Sequence, residues 1–335
     1  MRFVVFGAGA VGGVVGALLH RSGHDVVLIA RGDHLSAIQR DGLRLVSPTS
    51  ASVEQVRAVA TPADVDWRVD DVVLLAVKSD ATVAALSALA AVALPGVALV
   101  SLQNGVANEP TALRWFEHVY GVCVMAPTGH LEPGVVEAHC APTPAILDIG
   151  RYPGGIDATA RAVASAFTDA GIVSQPRPDI MGWKYRKLLM NLGNAVYAVC
   201  SRGDGFYELR DRIRLEGESA LTAAGIEVIS EAEDRERRGD ILQSKPITGR
   251  PRGGGSSWQS LERRTGAIES DYLNGEIVWL GRRFGVATPA NELIRREANL
   301  LAAARSGPGE VDPRTLLATL ERAQRHPVTR GKIRR

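Results

Sequence analysis

Cysteine is scarce in this chain of 335 residues: Cys123, Cys140 and Cys200 are three in number and far apart. No pair has CxxC spacing and none sits beside a histidine at metal-ligand spacing. That excludes a disulfide scaffold and a structural zinc site, and it reads as a reduced, cytoplasmic protein. The seven histidines are scattered. An excess of one charge is also missing: 39 Lys and Arg stand against 37 Asp and Glu, a net +2 with no long basic block. Nucleic acid is therefore not an expected partner. The basic tail "RGKIRR", Arg330–Arg335, reads as a frayed end rather than a binding arm. Long hydrophobic runs are absent too. "MRFVVFGAGAVGGVVGALL" is punctuated by glycines and runs into Arg21 and His24 without a processed-looking junction, unlike a secretory signal. "DVVLLAV" is strand-length, so no membrane span is expected. What remains is 45% hydrophobic and 23% charged residues, at a length that accommodates two domains with their own cores.

The first half alternates strand and helix. "RFVVFG" is a short β-rich run, followed by "GAGAVG" and a stretch without proline to His20. This is the strand, tight turn and helix order of a dinucleotide-binding crossover: Gly7 allows the turn, Gly9 lets the backbone approach a pyrophosphate, and Gly12 lets helix and strand pack closely. Ala8, Ala10 and Val11 complete the phosphate-binding turn, whose helix N-terminus favours anions. The second strand, "DVVLIAR", ends at Arg31 where NAD-preferring sites carry an acid. A guanidinium there suits a 2′-phosphate, so NADP(H) is the expected cofactor, with Asp33 slightly beyond as the residue that speaks against it. "DVVLLAVKS" reads as a strand emerging at Lys78, followed by an Ala-rich helix through Ala93. "GVALVSLQNG" reads as a strand ending at Asn104–Gly105, which places Lys78 and Asn104 at the ligand side of a parallel sheet. "VYGVCVMAPTG", "GVVEAHCAP", "AILDIG" and "GIVSQPRPD" suggest further strands, with a domain boundary near Asp179.

From Met181 the period becomes helical. "KPITGRPRGGGSS" is a Gly/Pro/basic loop. The run from Ser256 to Glu292 resumes helix, with Ser256 or Ser257 as N-cap. On spacing alone, Glu269 and Asp271 read as an exposed acidic helix face rather than a site. Trp279 and Leu280 fit either core or a homodimer interface. In "WKYRKLLMNLGNA", Lys187, Asn191 and Asn194 stand at i, i+4 and i+7, one stripe on a helix whose flanks are apolar. A water-facing stripe would draw Glu, Arg and Lys; amides suit a wet cleft better.

In this order, "GAGAVG", "LIARGDHL…GLRL", "LLAVKS", "LQNG", "WKYRKLLMN", "SS…IESDYLNG" and "GVATPANE" resemble the ketopantoate reductase family over nearly the whole chain. The resemblance implies an α/β protein with an N-terminal Rossmann-type doubly wound domain that binds NADP(H), residues 1–178, and a C-terminal all-helical domain, residues 179–335. It implies NADPH-dependent reduction of a small 2-oxo acid, 2-dehydropantoate to pantoate, on the route to pantothenate. Residue by residue, Lys187 matches the catalytic lysine better than Lys184 does, by its distance from Asn191. Glu269 matches the active-site glutamate and also lies on the cofactor side. Asn104 and Lys78 match cofactor-cleft residues, Asn104 serving substrate as well. Asn191, Asn194 and Ser257 fall on the substrate side, with Ser257 holding the substrate carboxylate. Lys187 would donate a proton to the ketone oxygen. An anion such as Glu269 would favour the charged amine and burial would oppose it.

Three departures touch the substrate side. Ala195 replaces a second asparagine, Asp204–Gly205 stands where a further one falls, and "SSWQSLER" lacks an aspartate after its serines. A related NADPH-dependent reductase of another 2-oxo acid is thus one alternative. The β-hydroxyacid dehydrogenases share the lysine-to-asparagine spacing of "KLLMN". A dinucleotide-binding sensor without chemistry is another, which the joint presence of Lys187 and Glu269 opposes.

Overall fold

The computed structural model describes residues 1–250 and 253–325; Pro251 and Arg252 of the Gly/Pro/basic loop, and residues 326–335 with the basic tail, lie outside the described residues. The first elements are β1 (Arg2–Phe6), α1 (Ala10–Arg21), β2 (Asp25–Ile29), α2 (Gly32–Asp41), β3 (Leu43–Val46), β4 (Ala51–Glu54), β5 (Arg57–Val59) and β6 (Asp71–Leu75). Next come α3 (Thr82–Ala90), β7 (Ala98–Ser101), α4 (Asn108–Ala112), β8 (Val119–Met125), β9 (Thr128–Gly129), β10 (Val135–Ala138), β11 (Ile146–Arg151) and α5 (Ala158–Asp169). The remainder is helical: α6 (Ile180–Asn191), α7 (Gly193–Val199), α8 (Phe206–Ala223), α9 (Glu231–Arg238), α10 (Ser256–Glu262), α11 (Asn274–Phe284), α12 (Pro289–Ala303) and α13 (Pro313–Arg325).

The main sheet has seven strands in the order β11-β8-β7-β6-β1-β2-β5, parallel except for β11, which runs antiparallel to β8. Phe3 of β1 stands opposite Val26 of β2 and Val72 of β6. Strand order reverses around β1, so the crevice at its carboxyl end is where this topology receives a ligand. Strands covered on both faces need apolar residues at every position, as in "RFVVF" and "DVVLL". One face buries Phe3, Val5, Leu28 and Leu74 with Val163 and Phe167 of α5. The other buries Val4, Val27, Val73 and Leu75 with Leu86 and Leu89 of α3. A buried ion pair joins two of its strands: Arg2, 1% exposed, forks onto Asp71 of the adjacent strand at 2.7 and 2.8 Å. A smaller sheet, β4-β3-β10-β9, is set beside it in the chain order.

Contacts divide the chain into two compact units, Met1–Leu188 with Glu227–Gly253, and Leu189–Ile226 with the chain from Gly254 onward. The single cut expected near Asp179 differs from this division in two places. The division falls within α6, and residues 227–253 return to the first unit. Ile229, Ile241 and Leu242 of that returning segment pack on Cys123, Met125, Ile146, Ile180 and Trp183. Arg237 of α9 grips Asp148 of β11 through two bonds of 2.7 and 2.8 Å, and Arg177 adds a third at 3.0 Å. In the second unit, α8, α11 and α12 pack on one another around Ile213, Ile277 and Ile294.

Several elements differ from the sequence reading. "GIVSQPRPD" makes only isolated bridges beside β11, at Val173 and Pro176, because Pro176 and Pro178 lack the N–H a strand needs. The run expected as helix from Ser256 breaks into α10, a 3-10 turn at Glu269–Tyr272 and α11, while "GVATPANELI" reads, and folds, as a loop and a proline-led helix start, α12. Arg264 and Gly266 between the first two have positive φ, which ends a helix. Among the described residues no helix is long and apolar enough to cross a membrane.

Candidate active site

β1 ends at Phe6 and the chain turns at Gly7, whose φ of +104° is a left-handed conformation that side chains avoid. A Cβ on Gly7 would lie 2.8 Å from the Val77 nitrogen, so the turn is pressed against the end of β6. Gly12 is closed in the same way: a Cβ there would overlap the Gly7 carbonyl and approach the Ala76 Cβ to 2.8 Å. Gly9 is different. It is the N-cap of α1 without a side-chain cap, and a Cβ on it would meet nothing within 4 Å. The space beside Gly9 at this helix start is open, and the first turn carries no acidic residue. Ala8 is buried, Ala10 opens α1, and Val11 is half-buried beside the larger core.

His34 of α2, which composition gave no reason to single out, fixes this turn. Its Nε2 lies 2.7 Å from the Ala8 carbonyl, and the Gly134 N–H donates to Nδ1 at 2.9 Å. The two bonds assign a neutral imidazole with the proton on Nε2, and burial holds its pKa below the ordinary value.

Arg31 follows β2 and precedes α2 in extended conformation, so the strand itself ends two residues earlier than the sequence suggests. It lines a cavity of about 200 Å³ with Phe6, Pro62, Val77, Ala81 and Ala85. The walls follow the carboxyl ends of β1, β2, β5 and β6. A glycine turn at a helix start and an apolar slot with one guanidinium in its wall fit a nicotinamide dinucleotide.

Lys78 and Asn104 lie three residues beyond β6 and β7, so these strands too end earlier than the sequence suggests. A buried polar network underlies both. The Gln103 amide donates to the Val77 carbonyl and to Thr82 Oγ1, each at 2.8 Å. Asn108 donates to the Asn104 carbonyl at 3.1 Å and to Ser79 Oγ at 3.2 Å, and accepts from Thr82 at 3.0 Å.

The two lysines of α6 have different surroundings. Lys184 is 2% exposed. Its ammonium donates to the carbonyls of Gln103 at 2.8 Å and Val122 at 3.1 Å, and pairs with Glu109 Oε1 at 2.7 Å. Two hydrogen bonds and an ion pair with a fully buried carboxylate engage this ammonium inside the fold. Lys187 is half-buried on the same helix. Burial pushes the Cys123 thiol of β8 up to about 11, while the charges of Lys187 and then Lys184 pull it down, so both amines lie near that strand.

In the second unit, Asn191 is buried and Asn194 donates to its Oδ1 at 3.3 Å. Gly255, just before α10, brings its Cβ position within 3.6 Å of Asn194 Oδ1, so the amides gather at the start of α10. Neither serine is the expected N-cap: Gly255 takes that place, and Ser257 is turned inward at 3% exposure. Glu269 is half-buried at the head of its 3-10 turn, whereas Asp271 is bound to Arg295 at 2.6 Å and Asn299 at 2.8 Å. Asn274 of "YLNG" is structural: it donates to the Leu192 carbonyl at 3.1 Å, where α6 gives way to α7, and to Asn291 at 3.0 Å. Leu280 is core and Trp279 is 50% exposed under Arg283.

Comparison with known proteins accords with this arrangement. The family model for ketopantoate reductase PanE/ApbA matches residues 3–154, and the model for its C-terminal part matches residues 179–302. The 2-dehydropantoate 2-reductase of Pyrococcus horikoshii is 27% identical, over 88% of this chain and 95% of its own. That of Archaeoglobus fulgidus is 29% identical, over 91% of this chain and 98% of its own. Among solved structures, a PanE/ApbA family ketopantoate reductase from Ralstonia eutropha JMP134 matches with a TM-score of 0.77 at 29% identity, covering 91% of this chain and 99% of that one. With both halves of the family pattern present in order, the chain is an oxidoreductase belonging to the ketopantoate reductase family.

Proposed function

We propose that this enzyme reduces the ketone of 2-dehydropantoate, a 2-oxo acid, with NADPH. When bound, the dinucleotide supplies a hydride to the ketone carbon. The chain's residues hold it and manage the charge that grows on the ketone oxygen. The backbone N–H groups at Gly9 and the start of α1 carry the pyrophosphate, and Arg31 carries the 2′-phosphate as a charge-assisted partner. Lys78 and Asn104 line the nicotinamide side of the same sheet edge. The Lys187 ammonium hydrogen-bonds the ketone oxygen and passes it a proton, completing the alcohol, and regains the proton from water. General acid help of this kind is worth about a hundred- to ten-thousand-fold. Asn191 and Asn194 orient the substrate through neutral hydrogen bonds, Ser257 holds its carboxylate, and Glu269 serves as the active-site carboxylate.

The observation that carries this reading is the division of roles along α6. Lys184 is held inside the fold by the Gln103 and Val122 carbonyls and Glu109, whereas Lys187, one turn later, is half-buried and stands at the four-residue spacing before Asn191 that matches the family's catalytic lysine. Relatives named 2-dehydropantoate 2-reductase, matched along most of the chain, support the substrate. The absence of an asparagine at Ala195 favours one competing reading, a reductase of another 2-oxo acid. A steady-state panel of 2-dehydropantoate and other 2-oxo acids, with NADPH and NADH, separates the two. The highest kcat/KM should fall on 2-dehydropantoate with NADPH. A higher value on another oxo acid would assign that substrate instead, and no turnover on any would leave a dinucleotide-binding protein without chemistry.

A further inference from the structure

We infer that the buried Lys184–Glu109 pair is a positioning device that aims Lys187. The inference rests on the reading of Lys187 as the proton donor.

Both charges are almost wholly removed from water, at 2% and 0% side-chain exposure. Burying two ions is costly, and well-packed apolar residues of similar volume often stabilise a core as well or better. Stability alone therefore gives no reason for the pair. What it supplies is direction. One ammonium reaches three separate parts of the first unit: the Gln103 carbonyl beyond β7, the Val122 carbonyl within β8 and the Glu109 carboxylate of α4. Two hydrogen bonds and an ion pair diverging from one atom hold α6 both along its axis and around it.

β8 makes room for this. Gly121, a strand-interior residue, has a Cβ position 3.3 Å from Lys184 Cδ and 3.4 Å from Glu109 Oε1, so any larger residue would press on the pair. A glycine inside a buried strand gives up side-chain contacts, and close approach of another group is a usual reason for one. The neighbours of the pair also carry site residues. The same Gln103 whose carbonyl accepts from Lys184 binds the Val77 carbonyl with its side chain, next to Lys78, and Asn108, adjacent to Glu109, holds the Asn104 carbonyl. Lys187 stands three residues past Lys184, about 4.5 Å along the helix, so a small rotation or slide of α6 displaces its amine. Displacement of a reacting group by about 1 Å can cost a hundredfold in rate.

The test is the paired apolar replacement Lys184→Met with Glu109→Leu, assayed for kcat, KM, NADPH Kd and thermal midpoint, alone and in a Lys187→Ala background. The expected result is a folded enzyme with a near-normal midpoint, a kcat lower by about tenfold or more, little change in substrate KM, and no further loss when Lys187 is already alanine. Wild-type kcat in the folded double variant would overturn the inference. So would an equal loss in the Lys187→Ala background, because the pair would then act by another route. If the double variant does not fold, Glu109→Asp keeps the charge but withdraws the carboxylate; a several-fold fall in kcat at constant KM supports the inference and an unchanged kcat overturns it. Failure of the parent reading looks different: Lys187→Ala by itself would turn over normally.

Discussion

Replacing Gly9 by alanine separates the needs of the fold from those of the ligand. Gly9 has φ −72° and ψ −155°, an extended conformation that alanine adopts, and a Cβ there meets no protein atom within 4 Å. The only structural cost is alanine in place of glycine at an N-cap, about 1 kcal/mol or less, which lowers the thermal midpoint by about 2–4 °C. On the proposed placement of the pyrophosphate, the methyl group fills the space in which it approaches the backbone. Each charge-assisted hydrogen bond lost is worth about 1.5–3 kcal/mol, so NADPH affinity should fall roughly ten- to a hundredfold or more. Thermal melting of the apoprotein and calorimetric titration with NADPH read the two effects separately. Gly12→Ala is the control with the opposite character: its Cβ would press on the Ala76 Cβ at 2.8 Å and Val5 Cγ1 at 3.0 Å. Overpacking of that kind costs about 1–3 kcal/mol in stability before any ligand is added. A Gly9→Ala protein that binds NADPH as tightly as wild type would refute the placement of the phosphates over this turn.

Other perturbations follow from particular contacts. Arg31→Ala should erase most of the preference for NADPH over NADH, by about tenfold or more, in kcat/KM ratios; an unaltered ratio would remove Arg31 from the 2′-phosphate. Asp71→Ala leaves the buried Arg2 guanidinium without its carboxylate and should cost about 3–5 kcal/mol, read as a lower denaturation midpoint. An unchanged midpoint would show that the pair contributes little. His34 is held neutral, with its folded pKa below the ordinary 6.5, so the stability it contributes is complete above that ordinary value and is lost as pH falls through 6.5 toward the lowered folded value. Melting scans from pH 8 to pH 5 should show a smaller acid-side decline in His34→Gln than in wild type; parallel declines would exclude His34 as the source.

The features readable in the sequence were local ones. The glycine turn, the strand before it and the position of Arg31 follow from spacing within some thirty residues, and the Rossmann order follows from repeating that pattern. The stripe Lys187, Asn191 and Asn194 was visible because helical period places neighbours without knowledge of the rest of the fold. What escaped depended on distance along the chain. Lys184 finds its carbonyl partners 81 and 62 residues away, so in sequence it was simply a second lysine beside a tryptophan. Its one local signal was a charge on a helical segment whose neighbours are apolar. The return of residues 227–253 to the first unit likewise depends on the bonds from Arg237 to Asp148, 89 residues apart. A serine before an apolar run commonly caps, whereas here Gly255 takes that position ahead of both Ser256 and Ser257, and Ser257 is buried. Asn274 and Asn291 lie in stretches that carry the family resemblance, and they spend their amides on the Leu192 and Ile213 carbonyls in the helical core.

The central assignment is the proton donor. Single-turnover oxidation of bound NADPH by 2-dehydropantoate, compared between wild type and Lys187→Ala, tests it most directly. The account predicts a rate of hydride transfer lower by about a hundredfold or more in the variant, with NADPH Kd nearly unchanged. Transfer at the wild-type rate without the Lys187 amine would contradict it.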